Sequence, residues 1–132
     1  RTLRERLGST SINVGCESTL CGACTVQIDG KAVKSCTRLT VQADGASVRT
    51  VRSLSEGGAL GDLQTAFSEE HAVQCGYCTP GMLRAADSYL DHNPDPSREE
   101  IRTEALQGNL CRCTGYENIV DAVEIASDAL ED

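Results

Sequence analysis

Gln74-Cys75-Gly76-Tyr77-Cys78-Thr79-Pro80-Gly81 and the distant Cys111-Arg112-Cys113-Thr114-Gly115-Tyr116 decide how this chain is read. Each stretch places a cysteine pair just ahead of a segment with helical patterning. Thr79 is expected to cap the first of these helices, with Pro80 at its first helical position. Thr114 and Glu117 have the spacing of a capping box for the second. Two cysteine pairs that each open onto a helix N-terminus make a four-thiolate site for an iron–sulfur cluster or a zinc ion, and iron–sulfur is the reading taken here.

Outward from these stretches the pattern stays helical. Leu60, Leu63 and Phe67 share a face, with Asp62 near the N-terminus. Met82, Leu83, Ala86, Tyr89 and Leu90 form a second stripe that Asn93-Pro94 ends. Ser97 and Glu100 make a capping box ahead of Ile101 and Ala105, with Gly108 as the stop. Ile119, Ala122, Val123, Ala126 and Leu130 line a last helix. Four helices in so short a span predict a small bundle, in which Cys75/Cys78 and Cys111/Cys113 face each other across a metal.

The upstream half reads differently. Thr2–Leu7 resembles the end of a helix stopped by Gly8, and residues 9–15 are polar and loop-like. Then come Cys16-x4-Cys21-x2-Cys24 and, eleven residues on, Cys36, the spacing of the plant-type [2Fe–2S] ferredoxin loop. Thr25–Ile28 and Ala32–Val33 flank Asp29-Gly30, a hairpin signal that returns Cys36 to the first three sulfurs. Val48–Val51 reads as one more strand. Gly57-Gly58 and Gly61 mark the stretch 53–61 as a linker and lack the strand-to-helix context of a dinucleotide loop.

Composition narrows the function. The chain of 132 residues holds four aromatics, Phe67, Tyr77, Tyr89 and Tyr116, so a core must be built from Leu, Ile, Val and Ala. Two lobes of about sixty residues each would be marginal without staples, and the eight cysteines are the available ones. A net charge of −8 argues against a nucleic-acid surface. The sequence shows neither a membrane-spanning run nor a leader pattern, so the expected location is the cytoplasm, with any membrane association coming through partners. Thiols stay reduced there, which points to metal and not to disulfides.

Four thiolates around a two-iron, two-sulfide core carry a charge of about −2 oxidised and −3 reduced. Burying that charge is costly unless dipoles offset it, and each helix N-terminus offers free N–H groups with a partial charge of roughly +0.5. Gly22, Gly76, Gly81 and Gly115 are expected to let the backbone approach and donate to sulfur. Two such clusters without catalytic side chains describe an electron relay.

Val14-Gly15-Cys16, Cys21-Gly22-Ala23-Cys24-Thr25-Val26, Ser35-Cys36-Thr37, Gln74 through Met82 and Gly108-Asn109-Leu110-Cys111 through Tyr116 resemble the iron–sulfur subunit of molybdenum hydroxylases. That family includes xanthine dehydrogenase, aldehyde oxidoreductases and aerobic carbon monoxide dehydrogenase. The resemblance runs through essentially the whole chain and implies an α+β architecture. A β-grasp, plant-ferredoxin-like [2Fe–2S] domain (1–52) would be followed by a four-helix-bundle [2Fe–2S] domain (53–132). Cys16, Cys21, Cys24 and Cys36 would hold the first cluster; Cys75, Cys78, Cys111 and Cys113 the second.

The resemblance also implies partners. The bundle cluster would lie beside the molybdopterin of a large subunit, with Cys113 and Gln74 near the pterin. The first cluster would face an FAD-bearing medium subunit, in a dimer of heterotrimers. Electrons would pass from molybdenum through both clusters to flavin. The wording of Cys16–Cys21, Val33–Thr37 and Gln42–Gly45 is nearest the carbon monoxide dehydrogenase branch, with an aldehyde, xanthine or N-heterocycle dehydrogenase as the alternative. Family members begin with a β-hairpin that this sequence lacks, so the sheet built from residues 24–52 is expected to be short of strands.

Blander readings stand beside these. A zinc-stapled interaction module is the alternative of another class, since Cys75-x2-Cys78 with a distant pair is also a zinc pattern. His71 and His92 read as solvated surface residues, and the Cys-x-His pattern of a Rieske site is absent. Arg112 reads as structural or as an interface contact. Tyr77 and Tyr116 are expected to pack against the clusters. No Ser/His/Asp or paired-carboxylate constellation stands out, so no independent catalytic residue is assigned.

Overall fold

Asp29 and Gly30 sit at φ 48° and 82°, the left-handed pair that a tight two-residue hairpin turn demands. They join β1 (Thr25–Ile28) to β2 (Lys31–Lys34) in antiparallel register, with Thr25 opposite Lys34 and Ile28 opposite Lys31. A third strand, β3 (Val48–Arg49), pairs with the other edge of β1, so the sheet order is β2-β1-β3. The expected strand Val48–Val51 is shorter than its pattern suggests. Val51 instead opens a 3-10 turn, Val51–Leu54, because Val51 and Leu54 turn toward the helical core and pack there.

The computed structural model describes residues 1–131, and the side chains of residues 1–129. After the Val51–Leu54 turn come α1 (Asp62–Glu69), α2 (Thr79–Leu90), α3 (Arg98–Glu100) with its continuation in one wider turn (Ile101–Ala105), and α4 (Glu117–Glu131). Leu63, Phe67, Met82, Leu83, Ala86, Leu90, Ile101, Ile119, Val120, Val123 and Ala126 close one buried cluster among them. Leu60 is not part of it: the residue precedes α1 and is exposed. Leu130, which the sequence puts on the α4 stripe, lies outside the residues whose side chains are described. Upstream, a helical turn covers Thr2–Arg6 before Gly8, and a smaller cluster gathers Ile12, Cys24 and Val26 with Leu3, Ile28, Val33 and Cys36.

The two clusters are joined through α2, which is buried nearly all round. One face packs into the helical core; the other lies on the hairpin. Ser88 Oγ accepts from Ala32 N–H at 3.1 Å and donates to the Gly30 carbonyl at 3.2 Å. Buried Gln27 donates to Asp91 at 3.2 Å. The frame is therefore a mixed α+β one, with the sheet docked on a helix that the sequence marks as apolar on one stripe only.

Two helix starts differ from expectation. Cys78, not Thr79, occupies the position before α2, so Pro80 falls at the second helical residue. The Thr114/Glu117 capping box does not form either. Thr114 Oγ1 bonds the Cys111 sulfur, and Glu117 reaches Arg98 and Arg102. The Ser97/Glu100 box does form, with Ser97 Oγ accepting from Glu100 N–H at 3.3 Å and Glu100 Oε2 accepting from Ser97 N–H at 2.8 Å.

Candidate metal centres

The hairpin register decides where the first four sulfurs meet. Cys24 precedes β1 and Cys36 follows β2, so the Thr25–Lys34 pairing brings them side by side. Ser35 Oγ and Ser35 N–H both donate to the Cys24 carbonyl, at 2.8 and 3.3 Å, and Cys36 N–H donates to Cys24 Sγ at 3.4 Å. The segment between Cys16 and Cys21 winds back on itself, with Glu17 and Thr19 at φ 55° and 64°. Ser18 and Cys21 N–H groups thereby donate to Cys16 Sγ, at 3.3 and 3.4 Å. Hydrogen bonding at Ser18, followed by that at Cys21, pulls the Cys16 thiol down to about 6. Burial pushes the Cys36 thiol up, and the neighbouring Cys24 sulfur adds to the shift.

The second four lie in the turns ahead of α2 and α4, with Cys78 and Cys111 partly buried and Cys75 and Cys113 exposed. Burial pushes the Cys78 thiol up to about 12, with the neighbouring Cys111 thiol adding to the shift. Burial would also raise Cys111, but hydrogen bonds from the Thr114 hydroxyl and from backbone N–H groups outweigh it and the thiol is lowered. Cys113 is raised, first through the bond it shares with Cys75. Cys75, Cys113 and Gln74 are exposed together on this side of the molecule.

In the second quartet Cys78 and Cys111 both pack against the helical core. Four thiols per quartet, with backbone N–H donors on the Cys16 and Cys24 sulfurs, fit the donor set of a two-iron cluster, which takes two thiolates on each iron.

The two quartets are stitched together. Leu110 N–H donates to the Cys21 carbonyl at 2.8 Å, one residue before Cys111. The buried Asn109 side chain donates to the Gly22 carbonyl at 3.2 Å and to Thr25 Oγ1 at 3.4 Å. Tyr77, expected against a cluster, is half exposed; its hydroxyl donates to the Val14 carbonyl at 2.6 Å, while its own carbonyl accepts from Asn13 at 2.8 Å. Gly22 and Gly81 serve this contact more than sulfur. A Cβ at Gly22 would lie 2.6 Å from both Asn109 Cγ and the Gly108 carbonyl, and one at Gly81 would overlap the Gly22 carbonyl. Asn109 carries no chemistry-bearing signal in the sequence, because its partners lie more than eighty positions away. His71 and His92 are exposed.

Residues 50–124 match the family described as a "[2Fe-2S] binding domain", which makes this an iron–sulfur protein. The small subunit of nicotine 6-hydroxylase from Paenarthrobacter nicotinovorans is 55% identical over 121 residues, covering 92% of this chain and 72% of that one. Caffeine dehydrogenase subunit gamma from Pseudomonas sp. (strain CBB1) is 50% identical over 98% of this chain and 78% of its own. The crystal structure of quinoline 2-oxidoreductase from Pseudomonas putida 86 superposes with a TM-score of 0.94 at 51% identity, covering 98% of this chain and 81% of that one. The chain belongs to the small iron–sulfur subunits of the molybdenum hydroxylases, the electron-transfer subunits of molybdenum-containing oxidoreductase complexes. The carbon monoxide branch finds no support in these relatives. Among the described residues no helix is long and apolar enough to cross a membrane.

Proposed function

We propose that this chain holds two [2Fe–2S] clusters, one on Cys16, Cys21, Cys24 and Cys36 and one on Cys75, Cys78, Cys111 and Cys113. The proposed layout is a β-grasp lobe (1–52) beside a four-helix lobe (53–132). The observation that carries the reading is the ferredoxin-type spacing of the first quartet with backbone N–H donors on the Cys16 and Cys24 sulfurs, beside the match of residues 50–124 to a [2Fe-2S] binding domain. When bound, each cluster supplies a one-electron carrier. The chain's own residues then hold charge on sulfur with backbone donors, as Ser18 and Cys21 do for Cys16, and keep the loops of the two quartets in contact through Leu110 and Asn109.

The exposed group of Gln74, Cys75 and Cys113 is the side proposed to meet a molybdopterin-bearing large subunit. The loop with exposed Leu20, beside Cys21, is the side proposed to meet an FAD-bearing medium subunit. Electrons would run from the molybdenum centre through the helical cluster and then the ferredoxin-like one to flavin, in a dimer of heterotrimers. Relatives named for nicotine, caffeine and quinoline favour an N-heterocycle as the substrate of the complex, oxidised in the large subunit.

Metal analysis tests the reading. About four irons and four acid-labile sulfides per chain are expected, with two distinct paramagnetic signals on reduction. Cys113→Ser should perturb one signal and Cys24→Ser the other. Zinc in place of iron, without sulfide, would overturn it.

A further inference from the structure

Tyr116 is the clue to a device around one sulfur. It holds φ 71°, directly after Gly115 at φ 69°. A bulky aromatic in the left-handed region is an uncommon and strained conformation, kept only where its surroundings demand it. Here the twist does two things. It turns Tyr116 N–H onto Thr114 Oγ1, at 3.1 Å, and folds the ring back so that its hydroxyl accepts from Cys111 N–H at 2.8 Å. Thr114 Oγ1 thus accepts from Tyr116 N–H on one lone pair, while its own proton is donated to Cys111 Sγ at 3.1 Å. The ring itself packs against the helical core, which fixes the arrangement from behind.

We propose that Thr114 is a positioning residue that sets the reduction potential of the cluster held by Cys111. This inference rests on the reading that Cys75, Cys78, Cys111 and Cys113 hold a [2Fe–2S] cluster. Reduction adds one negative charge to a site already negative, and a donor on a ligand sulfur stabilises the more negative state. A hydroxyl polarised by an incoming N–H is a stronger donor than an isolated one. Cys111 is partly buried, as is Cys78, so the bond acts on the half-buried side of the quartet, away from exposed Cys75 and Cys113. The Thr114/Glu117 spacing that reads as a helix cap is thus used for a sulfur.

The test is a redox titration of the intact complex followed by electron paramagnetic resonance, with Thr114→Val, Thr114→Ala and Thr114→Ser. Thr114→Val and Thr114→Ala should lower the midpoint potential of one signal and leave the other where it is. Thr114→Ser, which keeps the hydroxyl, should hold the wild-type value. If Val disturbs cluster assembly, the smaller Ala gives the same reading. Two intact signals with unmoved potentials in Val or Ala would overturn the hydroxyl's role alone, as would a Ser variant that falls with them. A wild-type complex with one signal only, unaffected by Cys111→Ser, would overturn the site beneath it as well.

Discussion

Arg84 is the residue that pattern reading places in water and the fold places in the interior, at 1% exposure. Its guanidinium donates to Ser53 Oγ at 2.9 Å and to the Thr50 carbonyl at 3.4 Å, and pairs with Asp87. Nε finds no partner. Burial pushes this guanidinium below its ordinary value, with Arg49 adding to the shift and Asp91 opposing it. The apolar periodicity of Leu83, Ala86 and Leu90 marks one face of α2 and leaves Arg84 on the other, which in a lone amphipathic helix would be wet. Nothing local to residues 79–90 says that the segment around Thr50 and Ser53 covers that second face. The side chain's value lies in its stem and its bonds more than in its charge. Arg84→Met, which keeps the stem but loses the bonds to Ser53, Thr50 and Asp87, should therefore lose about 1–3 kcal/mol, and Arg84→Ala, which loses the stem as well, about 3–5 kcal/mol. Urea unfolding followed by circular dichroism reads both; equal losses would make the charge itself the anchor.

At the scale of elements, local chemistry is legible where no third group competes for the paired side chains. The Asp29-Gly30 turn and the Ser97/Glu100 box form as their spacing requires. The Thr114/Glu117 pair has the same spacing and does not form, because Thr114 Oγ1 accepts from Tyr116 N–H and donates to the Cys111 sulfur, while Glu117 pairs with the guanidinium groups of Arg98 and Arg102. Arg98 also meets Asp121 and Glu124, so α3 is clasped along α4 by charge. The Arg102 bond, then that of Arg98, holds the Glu117 carboxyl below its ordinary value of 4.5. A carboxylate lowered on folding contributes stability that is fully present above its unfolded value and is lost as pH falls through its folded one. Acid unfolding should accordingly steepen below pH 4.5, and Glu117→Gln should lower the midpoint at pH 7 while flattening that part of the profile. The pair network is exposed, so raising salt should shrink the difference between the two proteins.

For the whole molecule, the eight cysteines and their two spacings announce both quartets, but not how one loop is seated on the other. That contact needs Gly22, Gly81 and Asn109, drawn from three separate segments, and no window of sequence contains it. Gly81 offers the sharpest test, because two effects of opposite sign meet there. It lies in the first turn of α2, where alanine in place of glycine should favour the helix by up to about 1 kcal/mol. The added Cβ, however, would press into the Gly22 carbonyl, which is backbone and already accepts from Asn109 and from the Thr25 hydroxyl. Overpacking against a fixed group costs about 1–3 kcal/mol, so the overlap should win and Gly81→Ala should lower the unfolding temperature. The separation it forces falls between the Cys21 loop and the start of α2 behind Cys78, so electron exchange between the two paramagnetic centres should slow even where both clusters assemble fully. A raised unfolding temperature with unchanged exchange would mean that the loops are not held together at this point.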